Sequence, residues 1–361
     1  MAVTKSKRIF YLDALRALAI LAVIVVHVYA VTRAHVLMDF ATGPSLRWLF
    51  SQFTGNNLRI GVDLFLMLAG ALSLGRDWTV REFLGKRIPR IVWPFIFWGL
   101  VMGTIAVVLS YYFGYHFIGY FDINSIINFF CGVFMSTSPG FLSYWFFWMI
   151  LGTYLIMPVF NKWLLDSDLS EAEYFLLFWL ITCLFDFTLN IKFPIRLTYF
   201  VSPIGLVIAG YYLRNTRRII LNNPYFDLAL TVFSAILIMV LVTNFSTPTE
   251  FHTLNRYSFP IALEVMGVFL LFKNFNRFGL NLNFIENENS LFRRFVSLIA
   301  RYSYGIYLIQ GLFLCIYLRI LPYYDIYSLM ITLFILTLGS SMVAMHILSK
   351  VKYLNGFIGA K

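Results

Sequence analysis

The chain is written as long apolar runs separated by short polar, basic or glycine-containing joints. Ten runs predict spanning helices, over about 9–31, 58–75, 90–112, 144–164, 173–190, 196–213, 225–244, 257–275, 298–319 and 326–349. A helix needs about 20 mostly apolar residues to cross a bilayer. The runs are continuous rather than alternating, which excludes a β-barrel. Segment 125–136 is apolar but short and reads as re-entrant or interfacial. The largest pieces outside the runs are 32–57, 113–143 and 276–297, which read as loops. With no soluble domain in the pattern, residues 1–361 read as one membrane-embedded domain. The predicted fold class is an all-α polytopic integral membrane protein, a bundle of about ten transmembrane helices.

Polar residues that break the first run carry the most information. Asp13, Arg16 and His27 lie inside it. An ionisable group at the centre of a bilayer costs about 2.5–3.5 kcal/mol on insertion scales, so each needs a partner or a watery cavity. At about 100° per residue, the eleven steps from Arg16 to His27 return to within about 20° of the starting face. At about 1.5 Å per residue the two are about 16 Å apart along the axis. Asp13, three residues before Arg16, lies close to the same stripe. The alternative is a polar helix–helix contact that holds the bundle together.

Composition narrows the class. Of 361 residues, 60% are hydrophobic and 12% charged, more apolar than a soluble domain requires. The net charge of +11 would suggest nucleic acid in a soluble protein. Here the positive-inside bias accounts for it, and no nucleic-acid partner is expected. With the N-terminus inside, twenty Lys and Arg fall on inner segments and seven on outer ones, which predicts both termini in the cytoplasm. A cleaved signal peptide is disfavoured, because Asp13 and Arg16 interrupt the run and no small-x-small site follows. Cys131, Cys183 and Cys315 lack metal or redox spacing, and His35, His116, His252 and His346 lack ligand spacing, so no metal is expected.

Four further constellations bear chemistry. Gly61-Val-Asp63 opens the second run and continues to Gly70. By topology Asp63 is expected at the depth of His27, where a carboxylate fixes an imidazole tautomer; an interfacial or capping Asp is the plainer reading. Arg87 and Arg90, within Lys86 to Pro94, share a helix face at the inner end of the third run. They suit phosphate, or equally a headgroup anchor. Ser143-Tyr144-Trp145-Phe146-Phe147, leading to Tyr154 and Pro158, opens the fourth run and also fits an interfacial aromatic belt. Ser303-Tyr304-Gly305-Ile306-Tyr307, with Gln310, offers hydroxyl and amide groups to a cavity, or polar packing.

Taken together and in this order, these residues resemble the acyltransferase-3 family of membrane O-acyltransferases. The likeness is nearest to the branch that O-acetylates surface polysaccharides such as enterobacterial common antigen. It is carried by Arg16 and His27, Gly61-Val-Asp63, Arg87 and Arg90, Trp145 to Pro158, and Ser303 to Tyr307. Relatives often have His where this chain has Ser143 and Gln310, which leaves His27 the one motif histidine. The extracytoplasmic hydrolase-like domain fused to some relatives is absent, which implies direct transfer or a separate partner.

The resemblance implies a multi-pass protein of the bacterial cytoplasmic (inner) membrane. It implies acetyl-CoA or another acyl-CoA as donor and a cell-surface glycan or lipid-linked sugar as acceptor, with membrane lipids around it. Arg87 and Arg90 would hold the CoA phosphates, with Arg16 deeper and Asp13 fixing its guanidinium. His27 would be general base, oriented by Asp63, or would carry the acyl group covalently. Tyr144 and Trp145 would stack on the sugar, with Tyr307 and Gln310 also facing substrate. The competing classes are a proton-coupled transporter, for which no internal repeat is visible, and a non-catalytic scaffold in polysaccharide assembly.

Overall fold

The computed structural model describes residues 9–38, 45–137, 144–191, 203–245, 252–280, 282–322 and 325–360. Every regular element among them is helical. The helices are α1 (Phe10–Met38), α2 (Leu46–Asn56), α3 (Ile60–Ser73), α4 (Val80–Phe113), α5 (Ile123–Met135), α6 (Trp145–Asp166) and α7 (Leu169–Phe185). They continue as α8 (Pro203–Asn215), α9 (Pro224–Phe245), α10 (Phe259–Asn274), α11 (Asn283–Glu286), α12 (Leu291–Ile320), α13 (Ile326–Ser349) and α14 (Asn355–Ile358). Ser143, Lys192 and Arg196 lie outside the described residues.

Each of the ten expected spans holds a helix, but not all ten have spanning length. Among the described residues seven helical segments are long and apolar enough to cross a membrane: α1, α4, α6, α9, α10 together with the 3-10 turn that carries it to Phe278, α12 and α13. Of the other three, α3 and α7 have 14 and 17 residues, and α8 has 13 counted from Pro203, where the described residues resume. The count of ten therefore stands only for helices, and the multi-pass membrane class rests on the seven.

Three boundaries differ from the sequence reading. Segment 32–57, expected as a loop, contains α2, opened by Ser45 Oγ accepting from Trp48 N–H at 3.2 Å. Its polar Ser51, Gln52, Thr54 and Asn56 are buried, so its pattern looks like a loop although it packs like a helix. Helix α4 starts about ten residues earlier than the apolar run, because Thr79 and Glu82 form a reciprocal capping box. Arg87 and Arg90 are therefore helical. At about 1.5 Å per residue α4 is about 51 Å long, more than the hydrocarbon core of about 30 Å. Helix α12 likewise begins at Leu291, a full two turns before its apolar run.

The chain divides into two compact units. The first comprises residues 1–22, 42–76 and 161–301; the second comprises 23–41, 77–160 and 302–361. Glycine decides the centre of the first. A Cβ on Gly70 would lie 1.8 Å from Val207 O, and one on Gly210 would lie 1.9 Å from Met67 O. Helices α3 and α8 therefore meet backbone to backbone, each supplying a glycine where the other's carbonyl approaches. Twelve residues of α3 and nine of α8 are buried.

Asn161 closes the turn after α3. Its Oδ1 accepts from Gly75 N–H and its Nδ2 donates to Arg76 O, both at 2.8 Å, and the residue is buried. Asn161→Ala leaves two main-chain groups without these partners, at a cost of about 2 kcal/mol. We expect a lowered thermal unfolding midpoint in detergent, measured beside wild type.

In the second unit α5 packs on α4 through a glycine pair. The space above Gly99 is taken by Phe134 and that above Gly103 by Phe130, at 2.6 Å and 2.5 Å from a built Cβ. Phe95 of α4 stacks on Phe147 of α6, ring centroids 3.6 Å apart. Gly99-x-x-x-Gly103 is therefore a packing device.

Candidate active site

His27 lies on the part of α1 that belongs to the second unit and is half-buried. The group facing its imidazole is the side-chain amide of Gln310, on α12. Gln310 is buried, 2% exposed. Its Nε2 donates to Tyr307 O at 3.4 Å in its own helix. Its Oε1 is shut away from solvent with no conventional hydrogen bond among the described residues. The amide is thus turned with its acceptor end available to an imidazole N–H.

The same unit carries a cluster of aromatic residues on α12, α4 and α6. Tyr307 meets Phe146 edge-on at 5.6 Å and lies parallel to Tyr304 at 6.4 Å. Tyr304 donates to Ile91 O of α4 at 2.9 Å. Tyr144 is 2% exposed and donates to Leu308 O at 3.2 Å. The sugar-stacking role expected of Tyr144 does not fit this burial, since its ring is packed and its hydroxyl is bonded to main chain. Trp145 keeps an exposed ring, 38% accessible. Arg87 is half-buried and Arg90 exposed, four residues and one residue before Ile91 on α4. Pro89 and Pro94 interrupt the helical ladder around these arginines.

The first unit holds the other expected residues. Arg16 Nη1 donates to Asp13 Oδ1 at 3.1 Å, so the predicted pairing within α1 is formed. Asp63 sits on the first turn of α3, 1% exposed. Neither of its oxygens has a hydrogen bond among the described residues. The cations that meet it are Arg256, with Nε 3.9 Å from Oδ1, and Arg59. The physical reason is local. Arg59 precedes α3 by one residue and is anchored by donating to Leu254 O at 3.2 Å, which brings the segment carrying Arg256 over the carboxylate.

Beside it, Asn57 Nδ2 donates to Glu264 Oε1 at 3.0 Å. Asn56 clasps the 252–254 segment through His252 O and Leu254 N. Sequence reasoning counted Arg59 and Arg256 only as loop charges and passed over Glu264. An acid in the middle of an apolar run was the signal that marked Glu264.

The first unit also contains a cavity of about 670 Å³ between the start of α1 and the end of α10. It is mostly apolar, lined by Phe10, Leu271 and Phe292, with Lys273 and Arg293 on its wall. Among the described residues no group of three His, Cys, Asp or Glu could hold a metal ion.

In chemical terms the second unit offers an imidazole faced by an amide, packed tyrosines on the helix that carries that amide, and guanidinium groups on α4. No curated protein and no solved structure matches the chain. A family described as an acyltransferase domain matches residues 9–349, from the start of α1 to the end of α13 and through both units, and the chain therefore belongs to the acyltransferase-3 family.

Proposed function

We propose that this protein O-acetylates, or transfers another short acyl group to, a hydroxyl of an extracytoplasmic cell-surface glycan or lipid-linked sugar. The donor is cytoplasmic acyl-CoA and the setting is the bacterial inner membrane. The observation that carries the reading is the His27–Gln310 pair, a base and its orienting amide, in the same unit as Arg87 and Arg90. Family membership supports acyl transfer at the coarser level.

In this mechanism an imidazole nitrogen of His27 takes the proton of the sugar hydroxyl. The oxygen attacks the thioester carbonyl, the C–S bond breaks, and the thiolate of CoA leaves with the proton that the imidazolium returns. Gln310 takes the orienting role first expected of Asp63, by accepting from the other ring nitrogen. The buried carboxylate of Asp63, which meets Arg256 and Arg59, then belongs to the acceptor side, where a carboxylate can accept from sugar hydroxyls. Trp145 supplies an exposed ring for stacking. Arg87 and Arg90 hold the donor's phosphates as charge-assisted donors, and Arg16, steadied by Asp13, guides the arm.

Purified protein supplied with labelled acetyl-CoA tests the reading. We expect release of free CoA dependent on an added glycan fraction. Replacing both Arg87 and Arg90 by Ala should raise KM for acetyl-CoA about tenfold to a hundredfold, from two charged hydrogen-bond partners lost. The cavity of the first unit supplies the rival phosphate site. A KM shift found with Lys273→Ala and Arg293→Ala instead would move the donor there, and no CoA binding at all would end the enzyme reading.

A further inference from the structure

The family match stops at residue 349, the last residue of α13, yet the chain folds back into the second unit. Residues 351–354 turn, and α14 re-enters against α4 and α13. Ile358 is completely buried and Ala360 is 4% exposed. The main chain here is held as well as the side chains. Trp98 Nε1 donates to Ile358 O at 3.2 Å, satisfying a carbonyl that has no regular helical partner. Phe357 meets Trp93, ring centroids 5.8 Å apart. Gly359, in the left-handed region at φ +77°, lies against Tyr304; a Cβ there would be 3.1 Å from the ring. Gly305 makes room for this return, since its own Cβ would sit 2.6 Å from Ile358 O.

Position gives the segment its meaning. Along α4 the order is Arg87, Arg90, Ile91 (bonded by Tyr304), Trp93 and Trp98. Along α12 it is Tyr304, Gly305, Tyr307 and Gln310. The returning chain contacts Trp93 and Trp98 on one helix and Tyr304 and Gly305 on the other. It therefore occupies the level between the paired arginines and the imidazole.

We propose that residues 351–360 form a displaceable strap across the donor's route, which acyl-CoA must move to bring its thioester to His27. This rests on the acyl-CoA reading above. A donor with phosphates at Arg87 and Arg90 and its acyl carbon at His27 has to pass the level that Ile358 fills. The segment is ten residues long and is reached through the turn at 351–354, so it can leave as a unit without unravelling α13. Its population sets donor affinity: if the strap is open in a fraction f of molecules, the apparent dissociation constant is the intrinsic one divided by f.

The test uses full-length Ile358→Cys protein and an alkylating reagent, with labelling at residue 358 read by mass spectrometry. Desulfo-coenzyme A, which has no thiol to consume the reagent, is the probe, and its binding is measured separately by calorimetry. We expect slow labelling of the free protein and about tenfold faster labelling with the probe bound, the ratio for a strap open about one-tenth of the time. A full-length Gly359→Val variant, strained at its positive φ and crowded by Tyr304, should lower KM for acetyl-CoA by a similar factor. Labelling unchanged or slowed while the probe is bound overturns the strap alone. So does a Gly359→Val protein of wild-type thermal stability whose KM is unchanged or raised. Failure of the probe to bind overturns the donor reading and the strap together.

Discussion

His27→Ala is expected to cost about a thousandfold in acyl transfer while the protein stays folded. General acid–base groups contribute about 10² to 10⁴ in rate, and a factor of about 10³ corresponds to about 4 kcal/mol of transition-state stabilisation. The fold should survive because the imidazole is half-buried and is matched by a single amide, so its removal opens little space. Gln310→Leu should reduce the rate less, about tenfold, because the base remains but its tautomer is no longer held. The informative comparison is Gln310→Glu. A carboxylate at that place can accept from the same ring nitrogen and hold the same tautomer, so this variant should keep more of the rate than Gln310→Leu. Purified variants assayed with labelled acetyl-CoA, each beside its own thermal unfolding curve, separate these effects. His27→Ala protein that turns over near the wild-type rate would remove the imidazole from the chemistry.

The second large effect is on the fold. Gly70→Leu should prevent accumulation of folded protein. The obstacle is main chain, because Val207 O lies 1.8 Å from where the new Cβ must go. A flexible side chain could swing aside; a carbonyl in α8 moves only if the helix moves. Overpacking of cores usually costs about 1–3 kcal/mol, and here two helices must part along their central contact, which puts the cost at or above that range. Gly210→Leu, against Met67 O at 1.9 Å, should behave the same way. Gly85→Ala in α4 is the control. Nothing lies within 4 Å of its Cβ direction, and alanine is the better helix former by about 1 kcal/mol, so this variant should be as stable as wild type or more so. Monodisperse yield from detergent and unfolding midpoint measure all three. Ordinary behaviour of Gly70→Leu would mean that α3 and α8 are not in backbone contact.

The helices were legible wherever hydrophobicity decided them, and less so where polar atoms did. All ten apolar runs contain helices, because continuous burial leaves its mark in composition. Helix α2 was missed since its inward face is built of Ser51, Gln52, Thr54 and Asn56, which in sequence resemble a loop. The start of α4 was placed late because Thr79 and Glu82 act through hydrogen bonds rather than apolar periodicity. In the site, Arg16 with Asp13 was readable, being a three-residue spacing on one helix. Gln310 was noticed only as a departure from relatives, and its pairing with His27 joins residues 283 positions apart that no local pattern links. The partner that Asp63 has within its own unit was hidden for the same reason. Its cation, Arg256, arrives from a distant segment, and depth by topology cannot choose among residues at one level.

Helix α3, at about 1.5 Å per residue, is about 21 Å long, some 10 Å short of an oily layer of about 30 Å. Irregular backbone at such depth is tolerated only where protein or water satisfies it. The turn that follows α3, where Asn161 bonds the main chain of Gly75 and Arg76, must therefore lie in a recess sheltered from lipid tails. Such a recess thins the barrier locally, so a hydrophilic reactant arriving from that side has a shorter climb to meet its counterpart than the surrounding bilayer would impose.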